Sequence, residues 1–139
     1  MRLLPDDPYA RAQIRALCEH VNSGMQPLQN YRVGFKVQED YGGDRMKWTH
    51  YWNTVGFESL EKKLEKTAGK FAFGDTPTLA DAFIFPQVTG SCNRFGIKME
   101  DYPIISRIHK NLLEFQEVKD SLPENQPDYE EPETTEAKE

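Results

Sequence analysis

Apolar residues recur at steps of three and four along most of the chain, the spacing that lines one side of an α-helix. The first series is Ile14, Leu17, Cys18, Val21, Met25 and Leu28. Asp6-Asp7-Pro8 ahead of it supplies the acids and the proline that favour a helix start. Pro27 has no amide hydrogen and its ring crowds the carbonyl four residues earlier, which predicts a kink or a break there. After the Gly42-Gly43-Asp44 turn, a second series places Trp48, Tyr51, Trp52, Val55, Phe57, Leu60 and Leu64 inward. Glu61, Lys62, Lys63 and Glu65 then face outward, and Gly69 marks the stop.

The segment from Phe71 to Pro77 alternates too little for a strand and reads as an irregular link. Thr78-Leu79-Ala80-Asp81 then has the form of a capping box: a threonine hydroxyl for the amide three residues on, and an aspartate that reaches back to the Thr78 amide. It opens Ala82-Phe83-Ile84-Phe85-Pro86-Gln87-Val88, apolar nearly all round, as suits a helix at the centre of a bundle. A fourth helix begins near Asp101-Tyr102-Pro103 and presents Ile105, Ile108, Leu112 and Phe115. No strand alternation is sustained and no repeat occurs. The pattern predicts an all-α fold of four or five helices around a central buried helix, spanning residues 1–123.

Charge sharpens the other boundary. Of the 23 acids and 17 bases in the 139 residues, residues 120–139 hold eight acids and one base, which leaves 15 acids and 16 bases in a nearly neutral body. With Pro123, Pro127 and Pro132 among those acids, residues 124–139 read as an acidic tail, disordered or lying along the surface. A neutral body argues against nucleic acid, whose footprint is a basic patch. No apolar run reaches roughly 18 residues, and the start lacks the apolar core of a secretory signal, so the expectation is a cytoplasmic protein without a membrane span.

The residues alone define no catalytic centre. His20, His50 and His109 lack a second ligand at helical spacing, so no metal site is expected. Cys18 and Cys92 make neither a metal spacing nor a disulfide framework. Cys92 near Arg94 has the form of a thiol poised by a cation, or of an incidental cysteine at a helix end. Arg94 stands alone in an uncharged stretch and needs an anionic partner, either a structural carboxylate or an acidic ligand. Gln26, Gln29 and Asn30 surround the proline break, where such amides either bind a polar ligand or satisfy one another.

Beyond composition, a series of runs carries a resemblance: Leu3-Leu4-Pro5-Asp6-Asp7-Pro8, Gly24-Met25-Gln26-Pro27-Leu28-Gln29-Asn30, Gly74-Asp75-Thr76-Pro77-Thr78-Leu79-Ala80-Asp81, Pro86-Gln87-Val88 with Arg94-Phe95, Tyr102-Pro103-Ile104-Ile105 and Gln126-Pro127-Asp128. Together they resemble the C-terminal domain of the maleylacetoacetate isomerases, the zeta class of glutathione transferases, from about residue 3 to about residue 128. The threonine-to-aspartate box marks the wider superfamily, and the glutamine-rich runs narrow it to the zeta class.

The resemblance implies a glutathione transferase C-terminal-like helical domain that normally follows a thioredoxin-like domain, which binds and activates glutathione. That domain has no counterpart in this chain, which is therefore expected to be inactive alone and to bind no glutathione detectably. In the family, glutathione thiolate adds to the cis double bond of maleylacetoacetate, the new single bond rotates, and expulsion of the thiolate leaves fumarylacetoacetate, a step of tyrosine and phenylalanine breakdown. By position, the resemblance gives Gln26, Asn30, Tyr31 and Arg32 as glutathione contacts, Tyr31 standing where the family has leucine. It gives Arg94 as the residue that meets the carboxylate of a small dicarboxylate substrate, and implies a homodimer. An exposed apolar face is expected where the first domain would dock. The alternative is a stand-alone helical binding or assembly module without catalysis, since fold alone does not fix function.

Overall fold

The computed structural model describes residues 2–130. Its elements are α1 (Pro8–Glu19), α2 (Gln26–Gln29), α3 (Tyr31–Tyr41), α4 (Arg45–Leu64), α5 (Leu79–Phe95), α6 (Pro103–Leu112) and α7 (Gln116–Asp120). Five of these are ten residues or longer, and no strand forms among the described residues; Ala68 and Gly74 make an isolated bridge. The fold is all-α as the periodicity predicts. No helix among the described residues is long and apolar enough to cross a membrane.

Helix α5 is the hub, packed against α1, α4 and α6. Ile14, Leu17, Cys18, Val21 and Met25 from the first apolar series meet Ile84 and Val88 of α5, Phe57, Leu60 and Leu64 of α4, and Ile105, Ile108 and Leu112 of α6. Burial of each such side chain stabilises the fold by roughly 1.5–3 kcal/mol. The capping box forms at the start of α5: the buried Asp81 carboxylate accepts from Thr78 N–H at 2.7 Å and from the Thr78 hydroxyl at 2.9 Å. Its other oxygen accepts Ala72 N–H at 2.8 Å, tying the 65–78 link to the hub. Burial pushes the Asp81 carboxyl above its ordinary range, against the pull of those hydrogen bonds.

The break at Pro27 takes a particular form. Residues His20–Met25 continue α1 with π winding, so that Gln26 N–H bonds Val21 O five residues back. The wide turn comes directly before Pro27, whose ring lacks an N–H and would crowd the carbonyl four residues back in a regular helix. It also lets Val21 and Met25 both point into the core. Where this segment crosses α4, a Cβ on Gly56 would lie 2.6 Å from Met25 Cγ, so glycine permits the approach.

Several expectations need correction. Helix α3 was not foreseen: Asn30 caps it through Oδ1, which accepts Arg32 N–H at 3.0 Å, and Gly42 ends it in a left-handed turn. On α4, Tyr51 and Val55 are 58% and 37% exposed rather than inward. Glu61, expected outward, turns toward α6 and accepts the main-chain N–H groups of Ile104 and Ile105. Gly69 does not stop α4, which ends at Leu64; it lies where the following link folds back so tightly that a Cβ would come within 2.7 Å of the Gly74 carbonyl.

Of the expected tail, residues 124–130 are described. Pro123–Asn125 form a 3₁₀ turn, and Gln126 Nε2 donates to the carbonyls of Asp120 and Leu122. Residues 131–139 lie outside the described part.

Candidate functional site

The proline break and the open side of α5 face each other across a cleft of about 400 Å³. Its walls bring together Gln26, Asn30, Tyr31, Arg32 and Arg94, the five residues that the resemblance gives, and Gln29 from the proline break, with Gln87 and Ser91 behind them. Gln26 is exposed, and Arg32 and Arg94 are exposed with no carboxylate within salt-bridge distance among the described residues. Arg94 therefore has no structural acid among them, and two guanidinium groups border the same hollow. Asn30 spends its carbonyl oxygen on capping α3, so its NH₂ is the part left for the cleft. Tyr31 is 57% exposed and stacks on Phe35 with ring centres 6.1 Å apart; the Arg45 guanidinium lies 4.7 Å from the Phe35 ring.

The amides around the break also satisfy one another. Gln26 Nε2 donates to Gln87 Oε1 at 2.6 Å, and Gln29 and Gln87 exchange hydrogen bonds of 3.0 and 2.9 Å. Gln87 Nε2 further reaches Asn53 Oδ1 at 2.9 Å and Ser91 Oγ at 3.0 Å, and Ser91 Oγ–H donates to Asn53 Oδ1 at 2.8 Å. Gln87 and Asn53 are each 2% exposed. Sequence reasoning singled out neither as a site residue. The available signal was a glutamine inside an otherwise apolar helix and an asparagine on the buried side of α4, since buried amides require partners.

A second hollow of about 810 Å³ runs along the other side of Arg94. Ala82, Phe85 and Pro86 form one wall and Phe115, Val118 and Leu122 the other, so it is largely apolar, with Pro86, Gly90 and Arg94 shared between the two.

The other candidates are structural. Burial, aided by Glu100, pushes the Cys92 thiol up, and Arg94 is not among the charges acting on it, so Cys92 is not a poised thiolate. Cys18 is buried and likewise pushed up, and both cysteines are free. His20 Nε2–H donates to Gly56 O while Nδ1 accepts from Lys63 Nζ, each at 2.9 Å; this fixes a neutral ring. His50 Nδ1–H donates to Phe95 O, and His109 lies against Phe85 with its Nε2 3.1 Å from Thr89 Oγ1. No group of three His, Cys, Asp or Glu side chains able to hold a metal occurs among the described residues.

No family model matches the chain. Individual proteins do. A mouse protein named maleylacetoacetate isomerase is 42% identical over 127 residues, 91% of this chain and 57% of its own length. A maleylacetoacetate isomerase from Anaeromyxobacter dehalogenans 2CP-1, solved with bound dicarboxyethyl glutathione and citrate in its active site, superposes with a TM-score of 0.87 at 38% identity. That match covers 93% of this chain and 60% of the other. Maleylpyruvate isomerase from Pseudomonas aeruginosa PAO1 superposes with a TM-score of 0.82 at 30% identity, over 92% of this chain and 68% of that one. The chain thus spans somewhat more than half the length of the curated relatives it matches.

Proposed function

Because the chain belongs to the family of maleylacetoacetate isomerases and zeta-class glutathione transferases, we propose that it forms the substrate-side helical half of a glutathione-dependent isomerase. The reaction is the cis–trans isomerisation of maleylacetoacetate to fumarylacetoacetate, in the cytoplasmic breakdown of tyrosine and phenylalanine. The observation that supports this reading is the convergence of Gln26, Asn30, Tyr31, Arg32 and Arg94 on one cleft.

In this reading glutathione lies along the proline break, where Gln26 and the Asn30 NH₂ supply neutral hydrogen bonds and Arg32 a cation. Arg94 holds a carboxylate of the substrate through a charge-assisted contact that fixes its orientation. The thiolate adds to the cis carbon–carbon double bond, the resulting single bond rotates, and expulsion of the same thiolate restores the double bond in trans. In this reading activation of the thiol falls to a thioredoxin-like domain. The apolar hollow along Ala82, Pro86 and Phe115 supports a docking face for it.

The same reading divides the chain into a helical unit of residues 1–123 and an acidic tail of 124–139. It also makes the active protein a homodimer, consistent with the exposed aromatic residues Tyr31, Phe35 and Tyr51 on α3 and α4. Sedimentation analysis tests the pairing. For the activity, Arg94→Ala in a protein that joins this helical unit to a glutathione-activating domain is expected to raise the KM for maleylacetoacetate strongly. An unchanged KM and rate would remove Arg94 from the site.

A further inference from the structure

The buried amides behind the cleft have a direction, and it begins at an atom that admits only one role. Asn53 Nδ2 lies 2.9 Å from the main-chain carbonyl of Thr49, which accepts and cannot donate, so the NH₂ of Asn53 must face it. The Asn53 Oδ1 therefore points the other way, and it receives both Ser91 Oγ–H and Gln87 Nε2–H. With its two N–H groups shared among Asn53, Ser91 and Gln29, Gln87 presents Oε1 toward the break. Two donors meet that oxygen, Gln26 Nε2 and Gln29 Nε2.

Counting donors and acceptors leaves little freedom. Gln87 is 2% exposed and has all its hydrogen-bonding capacity used. Reversing it would set its buried oxygen against Asn53 Oδ1 with no donor between them, at a cost of about 1–3 kcal/mol. Gln26, exposed at the cleft wall, commits one N–H inward, and its carbonyl oxygen has no partner among the described residues.

We infer that Gln87, held by Asn53 and Ser91, is a positioning residue for the cleft: it fixes the Gln26 amide so that Gln26 offers an acceptor to the ligand. The group met at Gln26 is accordingly an N–H donor. Set beside Arg32 and Arg94, whose guanidinium groups suit carboxylates, this selects a ligand that combines an amide or ammonium N–H with nearby carboxylates, the chemistry of an acidic peptide. The ligand side of the inference rests on the reading that glutathione occupies this cleft; the polarity of the amides does not.

The test is scalar coupling across hydrogen bonds in the isotope-labelled 139-residue chain. Without ligand, couplings are expected from Gln26 Nε2 to the side-chain carbonyl carbon of Gln87, and from Gln87 Nε2 to that of Asn53. Couplings in the opposite sense, or none where main-chain couplings appear in the same spectrum, overturn the inference. Asn53→Leu is expected to abolish the Gln26–Gln87 coupling. Asn53→Asp, protonated when buried, keeps a donor for Thr49 O and an acceptor for Gln87, and is expected to retain it. Equal couplings in both variants would overturn the role of Asn53, and the wild-type spectrum decides the polarity even if Asn53→Leu does not fold.

In a protein that joins this helical unit to a glutathione-activating domain, added glutathione is expected to shift the side-chain carbonyl carbon of Gln26, and a shift confined to Nε2 would overturn the ligand assignment. If glutathione causes no shift at all, the functional reading loses support, while the ligand-free couplings still decide the polarity of Gln26.

Discussion

Glu61 of α4 caps the start of α6 from across the bundle: its Oε1 accepts Ile104 N–H at 2.6 Å, and its other oxygen accepts Ile105 N–H at 3.0 Å. Pro103 at the first helical position has no N–H, and Ser106 N–H already bonds Tyr102 O, so the otherwise unpaired amides of this helix end are accounted for. Glu61→Ala is expected to destabilise the fold by roughly 1–2 kcal/mol, the range for losing a side-chain cap. Glu61→Gln keeps one acceptor and should lose less. Urea denaturation distinguishes them, and equal stability of Glu61→Ala and wild type would show that solvent replaces the cap without loss.

Asp81 joins three donors from two segments, Ala72 N–H and the amide and hydroxyl of Thr78. Asp81→Ala leaves these groups buried and unmet, and the expected loss is roughly 3 kcal/mol even though the cost of burying the carboxylate disappears with it. Thr78→Ala removes only the hydroxyl and should cost about 1 kcal/mol. In a double-mutant cycle the two losses are expected to fall short of additive, because they share one bond.

Two histidines make stability depend on pH. Burial lowers the proton affinity of His20, opposed by its hydrogen bond to Gly56 O and reinforced by the charge of Lys63; burial alone lowers that of His109. The unfolded chain takes up these protons near pH 6.5, while the folded chain resists them until lower pH. Stability is therefore full above that value and falls as the pH drops through the interval below it. Unfolding midpoints measured from about pH 7.5 to about pH 5.5 should decline, and the decline should flatten in a His20→Gln, His109→Gln variant.

Much of the fold was legible because helical burial writes a period into the sequence. Ile14, Leu17, Cys18, Val21 and Met25 keep one face even through the π turn, and Ile105, Ile108 and Leu112 do the same in α6. What escaped has particular causes. Tyr51 and Val55 are apolar, yet they face solvent, and composition does not distinguish a core residue from a surface one. Glu61 is charged and turns inward for a partner 43 residues away, which no local window contains. Helix α3 alternates charged and apolar residues around an Asn30 cap, a weaker signal than its neighbours give. The ligand cleft was legible mainly through the resemblance, since Gln26 and Arg94 meet only through folding. The direction of the amides behind it required the atoms of Asn53 and Gln87.

Arg94 separates binding from stability in a single substitution. Its guanidinium is exposed and forms no ion pair among the described residues, so removing it should leave the bundle's stability within about 0.5 kcal/mol. An arginine kept for the fold would behave as Asp81 does, with its loss registered in the denaturation midpoint. The expected pair of results for Arg94→Ala is an unchanged midpoint and weakened binding of a small dicarboxylate in a protein that carries the complete glutathione site. If instead the midpoint falls by more than about 1 kcal/mol, Arg94 supports the fold through contacts beyond its charge, such as stem packing along Pro86 and Gly90.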